Sequence, residues 1–197
     1  RNFQGDADLH VPEVLWPLSS ECLLTMEFIE GVRLSDEALF AQAGIDTRHI
    51  ATVGARYVLT QVFEHGIYNA DPHPANFIVR GDGVLVPLDF GMVGLLDQEL
   101  KQALVSMLMA FISQDPDKLM RVFYNLELLT ETTQRSRSEL SQDLSRLIHY
   151  YHHMPLAQLS VGRMLLDLSG IIRRYRISLP VDLALTLKVV VTVESLG

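Results

Sequence analysis

The stretch from Asp71 to Met92 constrains the fold of this chain more than any other part of it. It opens with Asp71-Pro-His-Pro-Ala-Asn76, where two prolines rule out a helix. Phe77-Ile-Val79 and Val84-Leu-Val86 follow, flanking Gly81-Asp82-Gly83, and two short apolar runs around such a turn signal a β-hairpin. The stretch closes on Leu88-Asp-Phe-Gly-Met92. Ahead of it, Ile50, Val53, Tyr57, Val58, Gln61 and Val62 recur at mostly helical spacing, and His65-Gly66 marks a helix end. The order is therefore long helix, polar loop, hairpin, polar turn. A hairpin reverses the chain, so Asn76 at its start and Asp89 at its end return to lie beside each other.

Those residues have a chemistry in common. Asn76 stands five positions after Asp71, and Asp89 thirteen after Asn76. A loop aspartate beside proline is usually a turn former, and an asparagine at a strand start or an aspartate in a glycine-containing turn is ordinary in isolation. Together the three suit phosphoryl transfer. One carboxylate orients the attacking hydroxyl or water, while an amide oxygen and a second carboxylate hold Mg²⁺ against nucleotide phosphates. On this reading Asp71 is the catalytic acid, and Asn76 and Asp89 are the metal ligands. His73, between the two prolines, either shapes the loop through a hydrogen bond or contacts a phosphate, and shaping is the simpler role. His149, His152 and His153 share a helix face, but with Tyr150, Tyr151 and Pro155 around them they read as a solvated helix end rather than a zinc site.

Composition limits the alternatives. The chain has 197 residues, 48% of them hydrophobic and 20% charged, which is enough for one sizeable globular domain. A net charge of −8 argues against a general nucleic-acid surface, which calls for a basic face. One cysteine, Cys22, excludes an internal disulfide framework, fits a reducing compartment, and is read as a free core thiol. No signal or transit segment opens the chain and it does not start with Met, so it reads as a piece of something longer. Apolar runs such as Ala103–Ile112 and Val189–Val193 fall short of the roughly 20 residues that span a bilayer.

The remaining pattern predicts a mainly helical α+β protein. Val11–Trp16 and Cys22–Ile29 read as two strands around a turn, the second of them buried. Ser35 is expected to cap a short helix that runs through Ala43 and ends at Gly44, and Asp46 or Thr47 to cap the long one. After Gly94 the chain turns helical, with Leu100, Leu104, Met107, Leu108, Phe111 and Ile112 as one stripe. Asp115-Pro116 starts the next helix. An amphipathic segment within Thr130–Arg146, a helix from Val161 to Tyr175 and another from Val181 to Leu196 complete the set.

With these residues in view, the chain resembles the UbiB family of atypical kinases, which act in ubiquinone biosynthesis and related quinone-lipid metabolism. The resemblance rests on Leu24-Thr-Met-Glu-Phe-Ile-Glu-Gly31, Ala70-Asp-Pro-His-Pro-Ala-Asn76, Leu88-Asp-Phe-Gly-Met92 and Arg174-Tyr-Arg-Ile-Ser-Leu-Pro180. It implies a protein-kinase-like C-lobe with its hinge and a short β-hairpin, the N-lobe missing. Residues 1–31 would hold the end of the N-lobe strands and the hinge, and 32–197 the helical C-lobe. Met26, Glu27, Phe28 and Ile29 would be the linker whose backbone meets adenine, with His73 also on the nucleotide side. ATP and Mg²⁺ are the implied cofactors. The implied partners are a quinone precursor or quinone-biosynthesis proteins, met at the cytoplasmic side of a bacterial inner membrane or its organellar equivalent, peripherally and without a membrane span in this stretch. Asn69 stands where many members have His, Ala75 where most have Gly, and the nucleotide loop and strand lysine of an N-lobe are not found. Two other readings share part of the pattern. A small-molecule phosphotransferase of the aminoglycoside or choline kinase kind has a similar loop, but Pro72 and Met92 speak against it. A non-catalytic nucleotide-binding scaffold would not be expected to keep Asp71, Asn76 and Asp89 intact.

Overall fold

The computed structural model describes residues 2–129, 136–155 and 160–194, and the chain forms two compact units that divide after Val93. The first is built on helix α2 (Thr47–Leu59) and a three-stranded antiparallel sheet. Strands β1 (Val32–Arg33), β3 (Phe77–Val79) and β4 (Leu85–Pro87) lie in the order β1-β3-β4. The hairpin forms as its sequence predicts, with Phe77 opposite Pro87, Ile78 opposite Val86 and Val79 opposite Leu85. The segment at Leu9 runs parallel to β4, where the N–H of His10 donates to the carbonyl of Leu85 at 3.1 Å.

Asp46 begins α2, its Oδ1 accepting the N–H groups of Arg48 and His49 at 3.0 and 3.1 Å. The helix lays Ile50, Val53, Tyr57 and Val58 into the core, where Phe77, Val79, Leu85 and Val86 also lie. The Tyr57 and Phe77 rings meet edge to face at 6.0 Å. The helix does not run evenly to Gly66, because its last turn, Thr60–His65, widens to π geometry. Gly66 stops it at φ +70°, and its N–H donates to the carbonyl of Gln61 at 2.8 Å. Helix α1 (Glu37–Gln42) is capped by Asp36, not Ser35, since the Asp36 carboxylate reaches the N–H of Leu39 at 3.1 Å. Gly44, at φ +65°, follows it as expected.

The opening segment departs from its expectation. Instead of two strands it forms isolated bridges, Val14 with Met26 and Ser20 with Leu23, around a 3₁₀ turn at Trp16–Leu18. The run from Cys22 is not buried either: Leu23, Leu24 and Phe28 are all exposed, Phe28 to 89%. Apolar side chains bury only where a second surface covers them, and here the backbone of 25–27 pairs only with that of 13–15. Cys22 lies on the exposed turn of this hairpin, so it is a surface thiol and not a core one.

The second unit is helical. Helices α3 (Gln98–Ile112), α4 (Pro116–Asn125), α5 (Arg137–His152), α6 (Val161–Arg174) and α7 (Val181–Glu194) pack in sequence, with α5 also against α3. Leu104, Met107, Leu119, Phe123, Leu140, Leu144, Leu168 and Leu183 form the core. The α3 stripe is as expected except for Ile112, which is 71% exposed, while Ala103 and Ala110 take buried positions. Asp97 caps α3, and Asp115 with Pro116 opens α4 as read from the sequence. Of the stretch Thr130–Arg146, residues 130–135 lie outside the described residues, as does Leu196 at the end of the last predicted helix. His149, His152 and His153 are exposed at the end of α5, where His152 contacts Gln114 at 2.7 Å.

Arg174-Tyr-Arg closes α6 by reaching across to α5. The Arg174 guanidinium and the Tyr175 hydroxyl both donate to Asp143 Oδ2 at 2.9 Å. The Tyr175 hydroxyl, followed by Arg174, holds the Asp143 carboxyl below its ordinary range. Beside it, the Tyr151 hydroxyl donates to Asp167 at 2.6 Å, a second tie between the same two helices. Three helix ends are finished by Gln114, Glu127 and Arg176, all near φ +53°. In each case the next N–H reaches back to a carbonyl of the last turn, as from Leu128 to Phe123 at 3.0 Å. Glycine usually occupies this left-handed position because a Cβ is strained there.

Two outcomes follow from this packing. A Cβ on Gly31 would lie 2.4 Å from the carbonyl oxygen of Val79 and 2.6 Å from Ile78. Gly31→Ala must therefore push β1 off β3, and a loss of about 1–3 kcal/mol in urea unfolding is expected. Glu127→Gly should act oppositely: relief of the left-handed strain outweighs the added freedom of the unfolded chain, for a gain of about 0.5–1 kcal/mol on the same measurement.

Candidate active site

Strand β2 (Ile67–Asn69) leaves the π turn and leads directly into the proline loop. It pairs with β5 (Val93–Leu95) in a two-stranded ribbon. At the same end the N–H of Ala70 donates to the carbonyl of Met92 at 2.9 Å, so the beginning of the loop is fixed to the residue after Asp89-Phe-Gly. Pro72 and Pro74 prevent a helix, and the chain instead makes a 3₁₀ turn over Pro74–Asn76.

His73 caps that turn. Its Nδ1 accepts the N–H of Ala75 at 3.2 Å, and its backbone N–H donates to the carbonyl of Asp71 at 2.7 Å. The loop-shaping role read from the sequence is thus the one its ring performs here, as an acceptor, with the rest of the side chain exposed. The same Asp71 carbonyl lies 3.4 Å from Asn76 Nδ2, which turns the other end of the amide, Oδ1, away from it.

The hairpin brings the third residue in. The N–H of Leu88 donates to the carbonyl of Asn76 at 2.8 Å, extending the β3–β4 ladder by one rung and placing Asp89 one residue beyond. Asp89 is exposed, and its Oδ1 accepts the N–H of Gly91 at 2.7 Å, which selects its rotamer. A Cβ on Gly91 would lie 3.1 Å from that same oxygen, so glycine leaves room for the carboxylate. Asp71, Asn76 and Asp89 therefore belong to one hydrogen-bonded assembly.

Two residues in it escaped the sequence reading. Asn69, only 4% exposed, accepts the N–H of Asp71 on Oδ1 at 2.9 Å and donates from Nδ2 to the carbonyl of Asp89 at 2.7 Å. Gln61, buried on the π turn, accepts the N–H of Asn69 at 2.8 Å and donates to the carbonyl of Tyr57 at 3.4 Å. The available signals were a polar residue on the otherwise apolar α2 stripe and an asparagine two residues before an aspartate, the spacing of an Asx turn.

Met26–Ile29 are positioned by different contacts. The Glu27 N–H donates to the carbonyl of Glu13 at 2.8 Å, and its carboxylate meets His10 at 2.7 Å and the Glu13 N–H at 3.2 Å. The His10 contact is the main cause of its depressed pKa. Glu27 is thus committed to the opening hairpin, while Phe28 presents its ring to solvent.

As a donor set, Asn76 Oδ1 and the Asp89 carboxylate would be hard oxygen ligands. Mg²⁺ takes one or two protein oxygens and fills its octahedron with phosphate and water, so a two-residue set fits it. Among the described residues no cluster of three or more His, Cys, Asp or Glu forms a closed cage that would suit zinc.

Residues 1–123 match the model of the ABC1 atypical kinase-like domain, and residues 144–197 that of the UbiB helical domain. A probable protein kinase UbiB from Aliivibrio fischeri (strain MJ11) is 32% identical over 201 residues, covering the whole chain and 37% of the relative. A probable protein kinase UbiB from Xanthomonas axonopodis pv. citri is 30% identical over 203 residues, covering the whole chain and 36% of the relative. The chain thus spans a little over a third of the length of these relatives. Among solved structures, Rv3197 of Mycobacterium tuberculosis, determined with erythromycin, superposes over 99% of the chain and 49% of its own with a TM-score of 0.62. At 17% identity that likeness is one of fold. By these matches the chain belongs to the ABC1/UbiB family of atypical kinase-like proteins.

Proposed function

We propose that this chain is the C-lobe and hinge portion of an ATP- and Mg²⁺-dependent UbiB-type kinase or ATPase that supports ubiquinone or related isoprenoid-quinone biosynthesis. The observation that carries this reading is the hydrogen-bonded convergence of Asp71, Asn76 and Asp89 on one loop and one hairpin. Family membership supports the kinase-like part of it.

In this reading Asp71 accepts or orients the proton of the attacking hydroxyl or water. Its backbone is held on both sides, by Asn69 before it and by His73 and Asn76 after it, which fixes where the residue sits in the loop. Asn76 Oδ1 and Asp89 are the residues that would hold Mg²⁺, which when bound neutralises phosphate charge and orients the phosphoryl group. The Gly91 N–H engages Asp89 Oδ1 and so steadies the carboxylate. Met26–Ile29 meet the adenine, and the exposed ring of Phe28 offers a flat apolar surface for it. His73 holds the loop open toward the phosphates. No helix among the described residues is long and apolar enough to cross a membrane, and the proposed access to a quinone precursor is peripheral, at a membrane surface.

The test is nucleotide binding and ATP turnover by the full-length protein. Asp71→Asn should leave nucleotide affinity within a few-fold and cut turnover by about 10²–10⁴-fold, the range for a missing general acid–base group. Asp89→Asn should remove the Mg²⁺ dependence of binding together with turnover. Wild-type turnover in both variants, or no nucleotide binding by the folded wild type, would overturn the reading.

A further inference from the structure

The buried amide of Asn69 sits where the loop of Asp71 meets the turn of Asp89, and it bonds to the backbone of both. Its two ends do different work. Oδ1 accepts from the N–H of Asp71 at 2.9 Å, and Nδ2 donates to the carbonyl of Asp89 at 2.7 Å. An amide is a rigid plane with an acceptor and a donor on one carbon, so holding both contacts fixes the separation of the two backbones. Asn69 is itself fixed from behind. Its N–H donates to Gln61 Oε1 at 2.8 Å, and Gln61 is tied by Nε2 to the carbonyl of Tyr57 at 3.4 Å, one turn back on α2. At 4% and 7% exposure these side chains have little water to turn to if the contacts are lost.

The widening of α2 into a π turn is what makes this possible. The N–H of Gly66 bonds to the Gln61 carbonyl, five residues back, instead of continuing the regular ladder. That extra residue places the Gln61 side chain under Asn69 at the end of β2. π bulges of this kind recur at functional sites because they re-aim one side chain.

We propose that Asn69 is a positioning residue for phosphoryl transfer, anchored by Gln61, which sets the distance between the Asp71 loop and the metal-binding turn of Asp89. This rests on the nucleotide and Mg²⁺ reading given above. Both ends of the Asn69 amide are taken up by backbone. It acts by holding the Asp89 backbone, while Gly91 holds the carboxylate, so metal affinity depends on both. Gln61 belongs to the same series of bonds, so the two residues act as one unit.

The experiment measures Mn²⁺ affinity by electron paramagnetic resonance in the full-length protein with ADP present, beside ATP turnover and metal-free ADP binding. Asn69→Leu keeps the approximate volume but has neither donor nor acceptor. It is expected to weaken Mn²⁺ by about 10- to 100-fold, the usual range for residues that orient metal ligands. Turnover should fall at least as far, and metal-free ADP affinity should stay within two-fold. Gln61→Leu should move the same quantities in the same direction by less. The double variant should be no worse than Asn69→Leu, as expected for residues in one chain of bonds. If Asn69→Leu does not fold, Gln61→Leu decides alone. A merely structural role would lower the melting temperature and leave Mn²⁺ affinity unchanged in the folded protein, and that result, in either variant, overturns the proposal. Absence of Mg²⁺-dependent nucleotide binding in the wild type would instead sink the underlying reading and the proposal with it.

Discussion

The antiparallel pairing of Phe77–Val79 with Leu85–Pro87 is the constraint on which the candidate site depends. With Phe77 opposite Pro87, the next rung outward joins Asn76 to Leu88 through a 2.8 Å backbone bond, and Asp89 follows immediately. A slip of one residue would turn each side chain of the hairpin to the other face of the sheet and carry Asp89 away from Asn76. The register is held because Phe77, Val79, Leu85 and Val86 are all buried, so the slipped arrangement would expose apolar surface. Gly31 completes the arrangement from the other side. Only a residue without a Cβ lets the chain approach the Val79 carbonyl closely enough for β1 to pair.

Around this hairpin the polar groups form a layer in which almost every contact is to backbone. Asn69 reaches the main chains of Asp71 and Asp89, His73 that of Ala75, and Gly91 presents its own N–H to Asp89. Such bonds fix where the loop and the turn run, and the Gly91 N–H also engages one carboxylate oxygen of Asp89. The second unit shows a different economy. Helices α3 and α4 begin at aspartate caps, and α3, α4 and α6 end at non-glycine residues in the left-handed region, held by back-reaching N–H groups. Asp143 and Asp167 then tie α5 to the end of α6 and to its middle.

Much of this was legible in the sequence, because the signals were local. The proline loop, the Gly81-Asp82-Gly83 hairpin, the Asp46 and Asp115 caps and the Gly44 and Gly66 stops each rest on a few neighbouring residues. What was missed depends on distant partners. Cys22–Ile29 has the composition of a buried strand, but burial requires a covering surface that composition does not supply. Ser35 and Asp36 are both good caps, and only the chain direction after Leu34 decides for Asp36. The π turn has no sequence signature, so Gln61 read as one more position on an apolar stripe and Asn69 as a simple variation. Their pairing across eight residues is a tertiary fact.

The most direct test of the central claim is a crystal structure of the full-length protein with Mg²⁺ and a non-hydrolysable ATP analogue. Asn76 Oδ1 and the Asp89 carboxylate should both be found holding the metal ion. The Asp71 carboxylate should face the terminal phosphate. A nucleotide bound elsewhere, or a metal that leaves both Asn76 and Asp89 uncoordinated, would contradict it.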